Sequence, residues 1–312
     1  MEKIAIIGAG MVGRSWSILF ARAGHPVSLF DNNAETAARA QGIIGESLID
    51  LKEQDLVDDP NAVGRRIQVT SSLGEALNGA IHAQEAVTEK LAVKQAAFKD
   101  IDELARPETI LASSSSTMPA SAYTENLAGR RRCLLAHPLN PPHLVPLVEL
   151  CPAPWTEASA VERTRALMAS IGQVPITMTK EVPGFIVNRL QVALLNEAFA
   201  LLEDDCISAA DVDKAITHGL GLRWSVVGPF ETIDLNAVRG LGHYVDIFAD
   251  QYYAMMKDRG APRRWSEDVV VKADKAMRGA LSLSEIPARQ AWRDRRLMDL
   301  ARLRASSGKA GR

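Results

Sequence analysis

Six residues near the start of the chain, Gly8-Ala9-Gly10-Met11-Val12-Gly13, constrain the fold more than any other feature. They follow an apolar, strand-like run at Lys3–Gly8 and open the amphipathic helical pattern Met11–Ala23. Glycines at this spacing between a strand and a helix are typical of the first turn of a Rossmann sheet. They give a tight turn, room for a pyrophosphate and close packing of the helix on the sheet, while the helix N-terminus offers N–H groups to phosphates.

A carboxylate follows at the position where such folds bind the adenosine ribose. Asp31 ends the second apolar run, close to the ~20 residues beyond the glycine turn at which an acidic side chain accepts the ribose 2′-hydroxyl. Its charge repels the 2′-phosphate of NADP, and Asn32 and Asn33 supply no arginine to neutralise that phosphate. We therefore expect NAD as cofactor, with these residues in contact with it: Gly8, Gly10, Met11, Val12, Gly13 and Asp31.

The first part of the chain alternates short β-branched runs with helical patterns, which indicates a parallel sheet covered on both faces. The predicted strands are Lys3–Gly8, Val27–Asp31, Ile67–Thr70, Ala80–Ala86, Thr109–Ser113, Arg132–Ala136, Leu147–Leu150 and Val174–Met178. After Lys180 only helical patterns follow. The predicted fold is α/β: an N-terminal Rossmann-type doubly wound sheet at residues 1–180 and an all-helical C-terminal domain at residues 181–312 for substrate binding and dimerisation.

Composition excludes several other classes of protein. The 312 residues suffice for two domains, and a net charge of -2 gives no electrostatic reason to expect nucleic acid or an anionic membrane as partner. Three cysteines form neither a metal-ligand spacing nor a disulfide framework, and no apolar stretch reaches the ~18 residues of a membrane span. We expect a soluble, cytoplasmic protein that binds a small molecule and no metal.

Polar residues follow two of the predicted strands where they end. Thr109–Ser113 leads into a serine run that ends at Ser116, and Arg132–Ala136 leads into His137. Glu149 closes another apolar stretch twelve positions later in the chain. Ligands bind at the carboxyl ends of parallel strands, so we expect these side chains to meet there. Each alone has a plainer explanation, namely a structural histidine, a loop and a surface ion pair.

Together with Pro183-Gly-Phe-Ile-Val-Asn188-Arg, these motifs resemble the 3-hydroxyacyl-CoA dehydrogenase family over essentially the whole chain. Arg14-Ser15-Trp16 and Gly219-Leu-Gly-Leu-Arg223-Trp224 are most similar to its lambda-crystallin branch, whose enzymatic activity is that of L-gulonate 3-dehydrogenase. The resemblance implies an NAD-dependent oxidoreductase that acts as a homodimer. It also implies that four residues carry the chemistry: Ser116, His137, Glu149 and Asn188.

The side chains suit oxidation of a secondary alcohol. Imidazole titrates near neutral pH, so His137 is the expected general base, oriented by Glu149, while Ser116 hydrogen-bonds the reacting oxygen. Asn188 either closes the site from the second domain, bonding His137 or the substrate, or makes an interhelix hydrogen bond. Glu89 and Lys94 match family positions near the cofactor, although a lysine there is also compatible with a solvated helix face.

The substrate is the least constrained expectation. Acyl-CoA members carry a lysine-rich stretch after the second helix, whereas residues 50–59 are acidic here, which disfavours CoA. A free 3-hydroxy acid presents a carboxylate, for which Arg223 is the candidate partner; a surface charge at a helix end is the alternative. We expect an L-gulonate-like acid. The alternatives are carnitine 3-dehydrogenase, a 3-hydroxyacyl-CoA dehydrogenase and, outside the enzymes, a non-catalytic crystallin-like structural protein.

Overall fold

A computed structural model describes residues 1–260 and 264–307. The chain divides into two compact units. The first comprises Met1–Val187 and the described residues from Gln290 onward, and the second comprises Asn188–Arg289.

The first unit is built on one eight-stranded sheet in the order β3-β2-β1-β4-β5-β6-β7-β8. The strands are β1 Lys3–Ile7, β2 Val27–Phe30, β3 Ile67–Thr70, β4 Ala80–Glu85, β5 Ile110–Ser113, β6 Cys133–Pro138, β7 Leu147–Pro152 and β8 Val174–Thr177. Strands β1 to β6 are mutually parallel, β7 runs antiparallel to β6, and β8 is parallel to β7. The order of the first six strands is that of the dinucleotide-binding sheet, which confirms the predicted fold class.

Helices cover both faces of this sheet, as the side-chain alternation of β1 shows. Ile4 and Ile6 point into one hydrophobic cluster, which includes Trp16 of the first helix, whereas Ala5 and Ile7 point into another. A strand buried on both sides reads as a continuous apolar run, which is how this one appears in the sequence. The helices of this unit are α1 Met11–Arg22, α2 Ala34–Glu53, α3 Pro60–Gly64, α4 Leu73–Leu77, α5 Leu91–Leu104, α6 Ser121–Thr124 and α7 Ala158–Ser170.

The described residues of the second unit form helices and turns. The helices are α8 Val187–Glu203, α9 Ala209–Ala215, α10 Gly221–Trp224, α11 Pro229–Leu235, α12 Gly240–Arg259, α13 Glu267–Ala280 and α14 Ile286–Ser307, the last of which continues into the first unit. Side-chain caps fix two of their starts, because Ser208 accepts from Asp211 N–H and Ser266 accepts from Val269 N–H. Arg259 joins α12 to α8 through Glu197 and to Asp204, which follows α8.

From Gln290 onward, α14 groups with the first unit rather than with the helices of the second unit. Its Met298 is buried in the same hydrophobic cluster as Leu51 of α2, and Arg302 lies 3.9 Å from Asp55. The second unit therefore begins at Asn188 and ends at Arg289, after which the chain returns to the first unit. The predicted domains, in contrast, are continuous, at residues 1–180 and 181–312. The amphipathic pattern of α14 predicts a helix but not the surface on which it packs.

Candidate active site

The glycine turn lies between β1 and α1. Gly8 has a φ of 107°, and a Cβ atom there would lie 2.5 Å from Ala86 O. A Cβ at Gly13 would lie 1.8 Å from Gly8 O, so these two glycines are required by the close packing of helix and sheet. A Cβ at Gly10 would meet no heavy atom within 4 Å, and no side chain caps the helix there. This turn offers the open space and the unpaired helix N–H groups that a pyrophosphate requires.

The Asp31 carboxylate is fixed beside this turn by two backbone hydrogen bonds. Ala9 N–H donates to one carboxylate oxygen at 2.7 Å, and Asn33 N–H donates to the other at 2.8 Å. Asn33 in turn caps α2 by accepting from Thr36 N–H. Each carboxylate oxygen can accept a further hydrogen bond, so the arrangement fits a ribose hydroxyl and disfavours a 2′-phosphate. The residues present therefore fit NAD.

A buried ion pair lies where β4 ends. Glu85 and Lys94 are each 1% exposed, and Lys94 Nζ donates to the two carboxylate oxygens at 2.9 and 3.0 Å. Ser113 Oγ and Val87 N–H also donate to Glu85. Sequence reasoning missed Glu85, although a carboxylate that ends an apolar strand was a usable signal. The burial of Lys94 also rules out a solvated helix face for this residue.

Glu89 holds the loop that follows β5. Its carboxylate accepts from Ser115 Oγ at 2.6 Å and from the backbone N–H groups of Ser116 and Thr117 at 3.0 Å each. Lys94 Nζ lies 3.2 Å away. Burial raises the pKa of Glu89, but the hydrogen bond from Ser115, the charge of Lys94 and the bonds from Thr117 outweigh it and lower the pKa overall. Glu89 is therefore an anion that fixes the position of Ser116.

His137 and Glu149 form the central pair of the site. They are opposite each other in the antiparallel β6–β7 ladder, and His137 Nδ1 lies 2.8 Å from Glu149 Oε2. Glu149 is fully buried, and its Oε1 accepts from the N–H groups of Ile186 and Val187. Burial raises the pKa of Glu149, but the hydrogen bonds from His137 and the two backbone groups lower it overall. A carboxylate at Nδ1 favours the tautomer in which Nε2 is the acceptor.

Glu149 does not end a parallel strand, as the sequence reading supposed. It lies inside β7, which runs antiparallel to β6. The chain reverses between the two strands through the loop that contains Pro141 and Pro142, so the two residues meet as cross-strand neighbours. An apolar run shows where a strand lies but not its direction.

A polar layer lies beside the ends of β4, β5 and β6. Gln84 Nε2 donates to Ser114 Oγ at 2.8 Å and to Ala136 O at 3.2 Å, and Trp16 Nε1 also donates to Ser114. His82 contacts Gln84 at 3.0 Å, and burial lowers the pKa of His82 to about 4, so its ring is neutral. These bonds tie together the strand ends that carry Glu85, Ser116 and His137. The sequence reading did not single out Gln84.

Three other predicted site residues lie on a loop and on two helices. Ser116 is exposed in the loop after β5. Asn188 is half-buried in α8 and directly follows Val187, and Arg223 is exposed on α10, where its charge acts on Tyr244. Asn188 and Arg223 belong to the second unit, so their proximity to His137 stays a prediction.

Comparison with known families decides the identity of the fold. Residues 3–182 match the family described as 3-hydroxyacyl-CoA dehydrogenase, NAD binding domain, and residues 184–280 match its C-terminal domain. The chain belongs to the 3-hydroxyacyl-CoA dehydrogenase family. The resemblance identified from the sequence motifs is thereby confirmed, as are NAD as cofactor and the assignment as an NAD-dependent oxidoreductase.

Individual relatives refine the branch of this family. A lambda-crystallin homolog from Rattus norvegicus is 37% identical over 306 residues, covering 96% of both chains. An L-carnitine dehydrogenase from Streptomyces griseus is 33% identical over 305 residues, covering 97% of this chain and 90% of that one. A similar solved structure is that of 5-formyl-3-hydroxy-2-methylpyridine 4-carboxylic acid 5-dehydrogenase, an NAD+-dependent dismutase. Its TM-score is 0.83 at 28% identity, and the match covers 97% of this chain and 98% of that one. The lambda-crystallin branch is thus confirmed.

Two other kinds of site are absent from residues 1–260 and 264–307. No helix there combines the length and apolar character needed to cross a bilayer. No group of three or more histidine, cysteine, aspartate or glutamate side chains in the same ranges could hold a metal ion.

Proposed function

We propose that this dehydrogenase oxidises the 3-hydroxyl group of a free, L-gulonate-like 3-hydroxy acid to the 3-keto acid. The observation that carries the proposal is the His137–Glu149 pair, in which a fully buried carboxylate holds Nδ1 of an imidazole. The nicotinamide of bound NAD supplies the acceptor for the hydride. The protein must then remove the hydroxyl proton and hold the substrate.

His137 is the proposed general base. With Nδ1–H directed at Glu149, the Nε2 lone pair is available to take the hydroxyl proton. The imidazolium that results lies next to a carboxylate whose lowered pKa keeps it charged, so the positive charge is stabilised where it forms. Ser116 is proposed to hydrogen-bond the reacting oxygen, and Asn188 to bond His137 or the substrate from the helical domain.

Glu89 and Lys94 are proposed to support the cofactor side of the site. Glu89 fixes the loop of Ser116, and Lys94 holds Glu89 and Glu85 on neighbouring strand ends. These bonds tie the loop of Ser116 to protein groups and thereby order it. This preorganisation lowers the cost of assembling the site.

A free acid is favoured over a CoA thioester by the charges after α2. Asp55, Asp58 and Asp59 lie there, with Asp55 near Arg302 of α14 and Asp59 capping α3. No lysine follows Lys52 in this stretch to receive nucleotide phosphates. We propose that Arg223 receives the carboxylate of the substrate instead.

L-Carnitine is a second candidate substrate, favoured by relatives named L-carnitine dehydrogenase and by an aromatic cluster. Tyr244, Phe248 and Tyr252 lie on one side of α12 with ring centroids 4.6 to 6.2 Å apart. Aromatic faces bind quaternary ammonium groups, and the charge of Arg223 acts on Tyr244. The aromatic cluster of α12 and Arg223 of α10 therefore offer partners for the two ends of a carnitine molecule.

We also propose a homodimer formed through the helical unit. Val245, Phe248 and Tyr253 of α12 are 44%, 36% and 63% exposed. Apolar surface of this extent on one helix usually marks an interface.

A screen of NADH formation tests the proposed reaction. L-Gulonate, L-carnitine, 3-hydroxybutyrate and 3-hydroxybutyryl-CoA are compared by kcat/KM, with His137→Gln as the inactive control. We expect a free acid to rank first, and L-gulonate above L-carnitine. A thioester in first place would overturn the substrate class. NAD binding without NADH formation from any of them would favour the crystallin-like structural protein.

A further inference from the structure

A cavity of about 830 Å³ lies in the first unit, away from the glycine turn. Its walls are the C-terminal end of α1, the segment around α3, the loop from Pro142 to Pro146 and the C-terminal half of α14. Leu19 and Arg22 line the cavity from the end of α1 whereas Gly10 caps its start, so about 12 Å of helix separates the cavity from the pyrophosphate position. A volume of this size is typical of a small-molecule site.

Three arginines line the cavity, and two of them, Arg22 and Arg66, donate to backbone carbonyl groups. Arg22 donates to Leu56 O at 3.0 Å, and Arg66 donates to Ala21 O at 3.1 Å. Across residues 1–260 and 264–307, neither has a carboxylate oxygen within 4.0 Å. Burial lowers the pKa of Arg22, which means that its charge is poorly solvated. An anion bound to the Arg22 guanidinium group would offset this cost.

The cavity also has negative and neutral polar groups. Asp58 and Asp59 line it, but Asp59 accepts from Ala62 N–H as the cap of α3. His143 contacts Ser15 Oγ, and burial lowers the pKa of His143 to about 4, so its ring carries no charge at neutral pH. The arginines are therefore the groups to which an anionic ligand would bind.

A buried acceptor in the wall lacks a donor. Gln173 is 5% exposed, and its Nε2 donates to Pro142 O at 3.3 Å, but its Oε1 has no hydrogen-bond partner in the described part of the chain. Such a buried oxygen requires a hydroxyl or amine donor. The rest of the wall includes the apolar side chains Leu19, Val63 and Leu300.

We propose that this cavity is a second small-molecule site, which binds an amphipathic carboxylic acid that carries a hydrogen-bond donor. The carboxylate lies at Arg22 and Arg66, the donor at Gln173 Oε1, and the hydrocarbon part against the apolar wall. The wall formed by α14 belongs to the part of this helix that groups with the sheet unit. A bound acid would hold α14 on the sheet unit.

Calorimetric titration of the full chain with decanoate and 10-hydroxydecanoate tests the site, since neither acid has a 3-hydroxyl group. We expect binding of both, and at least about 10-fold weaker binding of each to Arg22→Gln and Arg66→Gln. Gln173→Leu should weaken the binding of 10-hydroxydecanoate and leave the binding of decanoate unchanged. Arg39→Gln, at an exposed arginine of α2, should bind both acids normally.

Ala301→Trp provides a test that spares the arginines, because it fills the cavity from α14. This variant should lose binding of both acids and keep its rate of NADH formation. No binding of either acid at millimolar concentration would show that the cavity holds only water. Unchanged affinity in Ala301→Trp would show that the acids bind elsewhere, and either result would overturn the proposal.

Discussion

Lys94→Met should destabilise the protein more than the same substitution at any exposed lysine. Lys94 and Glu85 are both 1% exposed and 2.9 Å apart, so the variant leaves a buried carboxylate without its cation. Removing one partner of a buried ion pair typically costs ~3–5 kcal/mol in the free energy of unfolding. Ser113 Oγ and Val87 N–H still donate to Glu85, which places the expected loss near ~3 kcal/mol, at the lower end of that range.

The double variant Glu85→Gln/Lys94→Met separates lost charge pairing from lost packing. It removes the buried charge along with its partner, so most of the lost stability should return, and the remaining loss reports the Lys94–Glu89 contact at 3.2 Å. In a unit of this size, 1 kcal/mol shifts Tm by ~2–4 °C, so the single variant should melt roughly 6–12 °C below the parent protein. Urea unfolding followed by circular dichroism supplies the free energies.

Lys99→Met is the matched control on the same helix. The side chains of Lys99 and Glu103 are 68% and 63% exposed, and Lys99 Nζ lies 4.0 Å from Glu103 Oε1. Losing this pair should therefore cost less than ~0.5 kcal/mol in the free energy of unfolding. The reasoning fails if Lys94→Met is as stable as Lys99→Met. It fails equally if the double variant is no more stable than Lys94→Met alone.

Further predictions concern the cofactor, the base, the substrate and the assembly. Asp31→Ala combined with Asn32→Arg should shift kcat/KM toward NADP, and an unchanged NAD preference would contradict the role of Asp31. His137→Gln should lower turnover by ~10²–10⁴-fold with NAD affinity nearly intact, and near-normal turnover would remove His137 from the reaction. Arg223→Met should raise KM for the free acid by roughly 10- to 150-fold, because it removes a charge-assisted bond of ~1.5–3 kcal/mol; an unchanged KM would leave Arg223 a surface charge. Light scattering at micromolar concentration should give the mass of a dimer. A monomer with full activity would contradict the proposed homodimer.

Much of the fold could be predicted because its local signals agree. The glycine turn, the apolar runs and the intervening helical patterns all indicate the same sheet, and β3 was predicted with its observed bounds, Ile67–Thr70. The direction of β7 and the packing of α14 could not be predicted in this way. Both depend on contacts between distant segments, such as Met298 against the cluster that contains Leu51. A one-dimensional pattern does not encode these contacts.

The candidate site was predicted unevenly for a similar reason. His137 and Glu149 could be singled out because each ends an apolar run and because the motif around them resembles a family. Glu89 and Lys94 could be singled out only because they match family positions. Glu85 carries no such mark, and its importance rests on burial beside Lys94. Charged residues are rarely buried unless paired, so a sequence alone gives a glutamate a solvated position by default.

The geometry of the His137–Glu149 pair follows from the apolar residues around it. On the same face of β6 and β7, Leu135 lies opposite Cys151, and both pack in a cluster with Phe185, whose ring also contacts His137 at 5.5 Å. On the other face, Ala136 lies opposite Leu150, and both are fully buried. A slip of one residue would place polar side chains in the core on one face and break apolar packing on the other. The hydrophobic core thus holds the strand register, and the register places the Glu149 carboxylate at Nδ1 of His137.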